Sequence, residues 1–312
     1  MAGPLKGYRV LDMSRILAGP WAGQLLADLG ADVVKIERPG CGDDTRHWGP
    51  PYLKDQDGNE TEDAAYFFCA NRGKKSVTID ITRSEGQDII RQLALQSDVL
   101  IENYKVGGLA KYGLDYSALK KINPKLIYCS ITGFGQTGPY ANRPGYDFLI
   151  QGMGGLMSIT GEPDSPDNKT AGPVKVGVAV TDLFTGLYAA NAIQGALLER
   201  HQSGVGQYID LALLDVQAAV LANQASNYLI GNLVPERLGN AHPNIVPYQA
   251  FATADSHIII AVGNDQQFAR FCKVIESPLM AEDPLYASNA NRVNNRQVLC
   301  ESISVSLRQK DS

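Results

Sequence analysis

Residues 7–37, GYRVLDMSRILAGPWAGQLLADLGADVVKIE, decide the architecture. Gly7 to Met13 is a short β-rich run. Trp21, Leu25, Leu26 and Leu29 then recur at helical spacing, Gly30 supplies a C-terminal stop, and Val33 to Glu37 starts a second strand. This is one βαβ unit, and the pattern returns downstream. A strand is expected at Ser76 to Ile81, followed by a helix opened by the capping-box residues Thr82 and Glu85 and carrying Ile89, Ile90 and Leu93. A strand at Val99 to Glu102, a short helix at Tyr116 to Ile122 and a strand at Leu126 to Ile131 complete the series. Strands alternating with helices of this length predict an α/β domain built on a doubly wound, Rossmann-like parallel sheet.

Working outward, Pro39 to Glu62 is polar and rich in Gly, Pro and Asp, so it reads as a long surface loop, and Gly133 to Pro144 as another. Loops of that length are commonly functional. From Asp182 to His201 a helix is expected with Leu183, Leu187, Ala190, Ile193 and Leu197 on one stripe; its small residues suit a central, mostly buried position. Beyond about Gly231 the pattern changes. Pro247 to Ala254 and His257 to Val262 look like paired strands, and Gln266 to Ile275 like a helix. Two domains are therefore expected: a large α/β domain at 1–225, and a linker with a smaller α+β domain at 226–312. No internal repeat or low-complexity tract is present.

A formal net charge of −5 speaks against a general nucleic-acid binder, which needs a basic surface to displace counterions from phosphates. The five cysteines are scattered and form no C-x-x-C pair, which suggests neither a disulfide framework nor a metal site. The N-terminus enters strand-like sequence without an apolar signal core, and no run of about 18 apolar residues occurs. A cytoplasmic protein without membrane partners is expected, although a mitochondrial matrix protein stripped of a transit peptide would look the same.

Several chemistries lack their motif. Gly19 and Gly23 after the first strand do not make G-x-G-x-x-G, and there is no phosphate-binding G-x-x-x-x-G-K-S/T, G-x-S-x-G elbow or H-E-x-x-H helix. The four histidines show no metal-ligand spacing and read as surface or structural residues. Basic residues do gather near predicted strand ends: Arg38, the run Asn71-Arg72-Gly73-Lys74-Lys75, and Lys105 through Lys111 after Asn103. Open α/β sheets bind ligands just beyond the strand carboxyl ends, so these positions suit a phosphate-bearing ligand, although ordinary solvated loops also carry lysine and arginine. Asp182, where an apolar stretch meets the small-residue helix, reads most simply as an N-cap. A carboxylate at a helix N-terminus also feels the dipole and free N–H groups, which would keep it ionised and fit to attack an acyl carbonyl.

Collinear stretches give this pattern a family. They include LLADLGADVVKIERPG, ANRGKKSVTIDI, ENYKVGGLAKYGLDY, YDFLIQGMGGLMSITG, VGVAVTDLFTGLYAANAIQGALLER and GNAHPNIVPYQAF. Together they resemble the class III CoA-transferases, the family of formyl-CoA transferase and carnitine CoA-transferase, and NYLIGN, IVPYQAF and VGNDQQF look closest to the branch that moves CoA between succinate and glutarate-type dicarboxylates. The resemblance implies that Asp182 is the nucleophile of a ping-pong reaction through an aspartyl anhydride and an aspartyl-CoA thioester. CoA or acyl-CoA enters as substrate, with no permanently bound cofactor and no metal. It further implies that CoA is held by Leu17, Ala18, Arg38, Asn71, Arg72, Lys74, Lys75, Asn103 and Lys111, the last standing where relatives usually carry arginine. Tyr146 and Asp147 would line the active site, and the loop of Gly239, Asn240 and His242 would shield the acyl intermediate from water. The resemblance further implies an interlocked-ring homodimer and a C-terminal segment that returns to the large domain, a segment not expected in a chain that stops at Ser312. Two alternatives remain at this stage: an inactive truncated CoA-binding form, and an α-methylacyl-CoA racemase. The racemase has histidine in a G-H-D motif where this chain reads Gly145-Tyr146-Asp147. Tyrosine, with an ordinary pKa of about 10, is poorly matched to proton abstraction near neutrality.

Overall fold

The computed structural model describes residues 3–164 and 172–312. The first βαβ unit forms as β1 (Arg9–Asp12), α1 (Ala18–Asp28) and β2 (Asp32–Glu37). Gly30, at a φ of +99°, turns the chain out of α1 while Ala31 N–H donates back to Leu26 O. A side chain there would be strained by the left-handed backbone and crowded, since its Cβ would stand 2.9 Å from the Gly3 Cα.

The segment read as one long loop instead contains a hairpin, β3 (Tyr52–Lys54) with β4 (Glu60–Ala64), which leads into α2 (Ala65–Cys69). Its strands are short and mostly exposed, so they lack the buried alternation by which a strand declares itself. Next come β5 (Lys74–Thr78), α3 (Ser84–Leu95), β6 (Val99–Glu102), α4 (Tyr116–Ile122) and β7 (Ile127–Thr132). The expected capping box does not form. The Thr82 hydroxyl donates to Asp80 Oδ1, and α3 starts after Arg83 without a side-chain cap. Then follow α5 (Asp147–Met153), α6 (Val180–Ser203), β8 (Tyr208–Ala212), α7 (Leu213–Val220) and α8 (Ala222–Gly231).

Six of these strands pair in parallel in the order β5-β2-β1-β6-β7-β8. Without the hairpin this is the 3-2-1-4-5-6 order of a doubly wound sheet, whose chain reverses direction of travel between β1 and β6. Alternation assigns the two faces. Val10, Val99, Ile101, Ile127 and Cys129 point into one core with Leu26 of α1 and Ile193 and Leu197 of α6; Leu11, Leu100 and Tyr128 point into the other with Ile90 of α3 and Leu119 of α4. α1 and α6 approach closely because a Cβ on Gly186 would lie 2.8 Å from Ala18 O. The rest of α6 is less buried than its stripe suggests, with Leu187 46% and Leu198 70% exposed.

This α/β body comprises the described residues of Met1–Leu156 and Lys175–Ala222; a second compact unit comprises those of Met157–Val174 and Asn223–Ser312. In the second unit the antiparallel pair β9 (Tyr248–Ala252) and β10 (His257–Ala261) packs with α9 (Asp265–Val274), α10 (Asn289–Asn294) and α11 (Arg296–Leu307). Phe251, Phe268, Leu299 and Ile303 fill its core. Arg292 is wholly buried there, bonded to Val246 O, Tyr286 O and Asp265 Oδ1.

Beneath the sheet's carboxyl end the Asp12 carboxylate accepts from Lys74 Nζ at 2.8 Å, with both side chains at most 2% exposed. Burial alone would push this carboxyl up, but the charges of Lys74 and Lys35 and the hydrogen bonds from Lys74 and Ser14 hold it below the usual carboxylate range. The pair contributes at neutral pH and is lost as pH falls through the depressed carboxyl pKa; burial also holds the Lys74 ammonium below its ordinary range, so the pair is lost again when Lys74 deprotonates at high pH. Lys74→Ala strands a buried charge and is expected to cost about 3 kcal/mol, read as a lowered urea midpoint with an unchanged slope.

Candidate active site

The turn after β1 is held from three sides. Ser14 N and Oγ both donate to Asp12 Oδ1, Lys35 Nζ donates to Ser14 O at 2.9 Å, and Lys35 also pairs with Asp43 at 2.8 Å. Asn103, from the end of β6, clamps the Arg15 backbone in both directions, accepting from Arg15 N at 2.9 Å and donating to Arg15 O at 2.7 Å. Between these restraints Ile16 adopts a φ of +71°, a left-handed conformation that a β-branched residue takes only when its surroundings enforce it. The chain then enters α1 at Leu17 and Ala18.

Above this turn lies a cavity of about 540 Å³, within the range of small-molecule sites. Its wall draws on the carboxyl end of every strand of the sheet: Arg15–Ala18 after β1, Lys35–Arg38 at β2, Ile79–Thr82 after β5, Asn103–Val106 after β6, Ile131–Gly133 at β7 and Leu213 after β8. Gly108, Lys111 and Tyr112, the segment 141–146, and Asp182 complete it. Lys35 and Arg15 are matched by Asp43 and Asp44. Arg38, Lys105, Lys111 and Arg143 have no carboxylate partner among the described residues, so a net positive rim surrounds the opening. Lys111 and Arg143 rest instead on the rings of Tyr112 and Tyr140, at 4.7 and 4.2 Å from the ring centres.

Asp182 is not an N-cap. The helix begins two residues earlier, after Ala179, and the cap oxygen comes from another element. Asp147 Oδ1 accepts from Thr181 N at 2.8 Å and more weakly from Asp182 N at 3.4 Å, while Asp147 Oδ2 accepts from Gln151 Nε2 at 2.7 Å. The N–H groups that would have lowered the Asp182 pKa are thus spent on its neighbour. Burial first, and the Asp147 charge second, push the Asp182 carboxyl up to about 7. Tyr66 of α2 feels the same field: its phenol is pushed up to about 12 by burial and next by the charge of Asp182.

The expected site residues fall into four groups. Leu17, Ala18, Arg38, Asn103, Lys111, Tyr146 and Asp182 line the cavity. Asn71, Arg72, Lys74 and Lys75 do not: Asn71 bonds Phe67 O and Lys74, Arg72 pairs with Asp28, Lys74 with Asp12, and Lys75 with Asp32. Asp147 is buried behind Asp182. Gly239, Asn240 and His242 belong to the second unit, where Gly239 N donates to Gly161 O and His242 Nδ1 accepts from Asn244 N. Arg143, Tyr104 and Tyr66 were missed by the sequence reading. Arg143 had a usable signal, a lone cation in a long Gly-Pro loop; Tyr66 had none, because its position depends on the unrecognised hairpin.

A profile of CoA-transferase family III matches residues 5–312. The chain belongs to CoA-transferase family III. A succinate–glutarate CoA-transferase of Agrobacterium fabrum is 57% identical over 96% of this chain and 74% of its own length. The mouse succinyl-CoA:glutarate CoA-transferase is 48% identical, again over 96% of this chain, which spans 66% of that relative's length. A crystal structure of a CAIB/BAIF family protein from Brucella suis superimposes with a TM-score of 0.83 at 53% identity, covering 100% of this chain and 80% of its own. The family resemblance drawn from the motifs is confirmed, and a CoA-transferase type of enzyme agrees with these names. Among the described residues no helix is long and apolar enough to cross a membrane, and no group of three or more His, Cys, Asp and Glu could hold a metal ion.

In the free protein the Asp182 carboxyl is expected to be protonated below and ionised above about pH 7. Carbon-13 NMR of aspartate-labelled protein should show one carboxyl resonance titrating there, absent from Asp182→Asn; titration of every aspartate below pH 5 would contradict it.

Proposed function

We propose that this chain transfers CoA from succinyl-CoA to a dicarboxylate such as glutarate, with Asp182 as nucleophile. The carrying observation is the half-buried Asp182 carboxyl, opening into a cavity whose rim at the strand carboxyl ends carries cations without a carboxylate partner among the described residues, suited to phosphates. An Asp182 carboxylate oxygen attacks the thioester carbonyl; the C–S bond breaks and CoA thiolate leaves, giving a mixed anhydride. The thiolate attacks the aspartyl carbonyl and succinate departs, leaving aspartyl-CoA. The acceptor carboxylate attacks that thioester, expelling the thiolate, which then attacks the new acyl carbon and frees Asp182. One thioester replaces another, so the exchange needs no external energy source. A carboxyl with a pKa near 7 is a stronger base, and so a stronger nucleophile once ionised, than an ordinary aspartate.

CoA would be gripped by Arg38, Lys105 and Lys111 on the strand-end loops, with Leu17 and Ala18 against it; Asn103 supports this surface through the Arg15 backbone. Asn71, Arg72, Lys74 and Lys75 support it from outside the cavity, chiefly through the Lys74–Asp12 pair. Arg143 suits the distal carboxylate of a dicarboxylate. It lies three residues before Tyr146, in a loop whose end is fixed where Gly145 meets Gly133 and Asp147 meets α6. The racemase reading wants a histidine as partner to Asp182, and none is among the cavity-lining residues. The boundary expected at 225 gives way to two units, the second of which also takes in Met157–Val174; a homodimer and a soluble cytoplasmic or mitochondrial location complete this reading. The exposed Leu187 and Leu198 of α6 favour association.

Incubation with succinyl-CoA and hydroxylamine is expected to place a hydroxamate on Asp182, and Asp182→Ala to lose on the order of 10³-fold or more in kcat. An active Asp182→Ala variant would overturn the assignment. Arg143→Gln should lower kcat/KM for glutarate by roughly tenfold to a hundredfold, about the worth of a charge-assisted pair, and spare a monocarboxylate of equal length. An equal loss for both acids would instead place Arg143 on CoA.

A further inference from the structure

We propose that Asp147 is a positioning residue for the nucleophile: without touching substrate, it fixes the first turn of α6 through its oxygens and places a like charge behind Asp182. This rests on Asp182 being the nucleophile. The geometry is specific. Asp147 opens α5, is buried, and spends one oxygen on the Thr181 and Asp182 N–H groups and the other on Gln151 Nε2. Gln151 is itself wholly buried and uses its carbonyl to accept from Val176 N at 2.9 Å, so the network ties α5, the strand of chain leading into α6, and α6 itself. Thr181 is secured a second time, its hydroxyl donating to Gln217 Oε1 at 2.6 Å.

A cap of this kind needs only an acceptor oxygen. Serine and asparagine serve as well as aspartate at helix starts and bury no charge. A buried carboxylate with no cation partner among the described residues is costly, and it is tolerated here because neutral N–H donors saturate it. The same donors distinguish the two carboxylates. Asp147 holds these hydrogen bonds, whereas the Asp182 side chain accepts none from a neighbour among the described residues, and its carboxyl, pushed up to about 7 by burial and next by the Asp147 charge, keeps its proton below that pH. Once that proton leaves, the like charge keeps the Asp182 carboxylate strongly basic, which speeds attack on a thioester.

Other titratable groups do not substitute for Asp147. Tyr66 of α2 faces Asp182 as a neutral phenol. On the elements packed against α6, Asp28 of α1 is bound to Arg72, Asp210 of β8 accepts from Gln136 N, and Cys129 of β7, Tyr128 and Tyr208 are neutral, pushed up by burial. Asp215 lies in the first turn of α7. Of all these, Asp147 alone contributes to the Asp182 carboxyl.

The test is the acid limb of kcat/KM for succinyl-CoA in Asp147→Asn and Asp147→Ser, both of which keep a capping oxygen and remove the charge. The limb should move to lower pH by about one unit in each, in line with removing a close like charge, and the high-pH plateau should fall as the nucleophile becomes less basic. A limb that stays in place while activity drops uniformly means a merely structural cap and overturns the proposal. Should the variants fail to fold, wild-type protein answers by aspartate carbon-13 NMR: Asp182 should titrate near pH 7, and an Asp182 resonance that titrates below pH 5 defeats the proposal. Hydroxamate formation on Asp182 reports separately on the nucleophile, so loss of that adduct in wild type would fault the underlying reading rather than the role of Asp147.

Discussion

Two buried ion pairs, Lys74 with Asp12 and Lys35 with Asp43, carry the architecture of the site. They join β5 to β1 and β2 to the loop that follows it. Through Ser14 they also fix the turn on which the cavity floor rests. Neither pair gains much over a well-packed apolar contact, because desolvation consumes most of the Coulomb attraction. What they supply is direction: each ammonium bonds a backbone carbonyl as well as a carboxylate, Ser14 O for Lys35 and Pro20 O for Lys74. Loops that would otherwise sample many conformations are thereby held in one. The left-handed Ile16 persists because this frame and the Asn103 clamp leave the backbone no alternative.

On that frame, charges are sorted by where their partners lie. The chain places lysine and arginine at several strand ends, but only some keep their charge free for a ligand. Arg72, Lys74 and Lys75 sit in one basic run, yet aspartates at positions 28, 12 and 32 neutralise all three. Lys105, Lys111 and Arg143 meet no such partner and face the cavity. Sequence cannot draw this distinction, because the neutralising aspartates stand 43 to 62 residues away and reach their cations only through the parallel pairing of β1, β2 and β5.

The same contrast explains what was legible. β6 and α4 are recovered residue for residue, because β6 is buried throughout and α4 pairs a clear periodicity with bounding turn residues. The β3–β4 hairpin and the edge strand β8 were not anticipated, since the hairpin strands are short and mostly exposed and β8 runs without a turn straight into α7. At the site, the strand-end rule located the cavity, whereas the ionisation of Asp182 was expected in the wrong direction. A helix N-terminus favours a carboxylate only while its N–H groups are free, and here a side chain 35 residues earlier in the chain already occupies them.

The cavity wall takes residues from the carboxyl end of all six parallel strands. A molecule filling it therefore bridges segments from across the whole sheet, and it binds the folded chain but not the unfolded one. By mass action, saturation at a hundred times the dissociation constant adds about 2.7 kcal/mol to stability. The persistence of the folded chain against heat or proteolysis thus becomes a function of how much ligand surrounds it, so that scarcity of substrate thins the population of the protein itself.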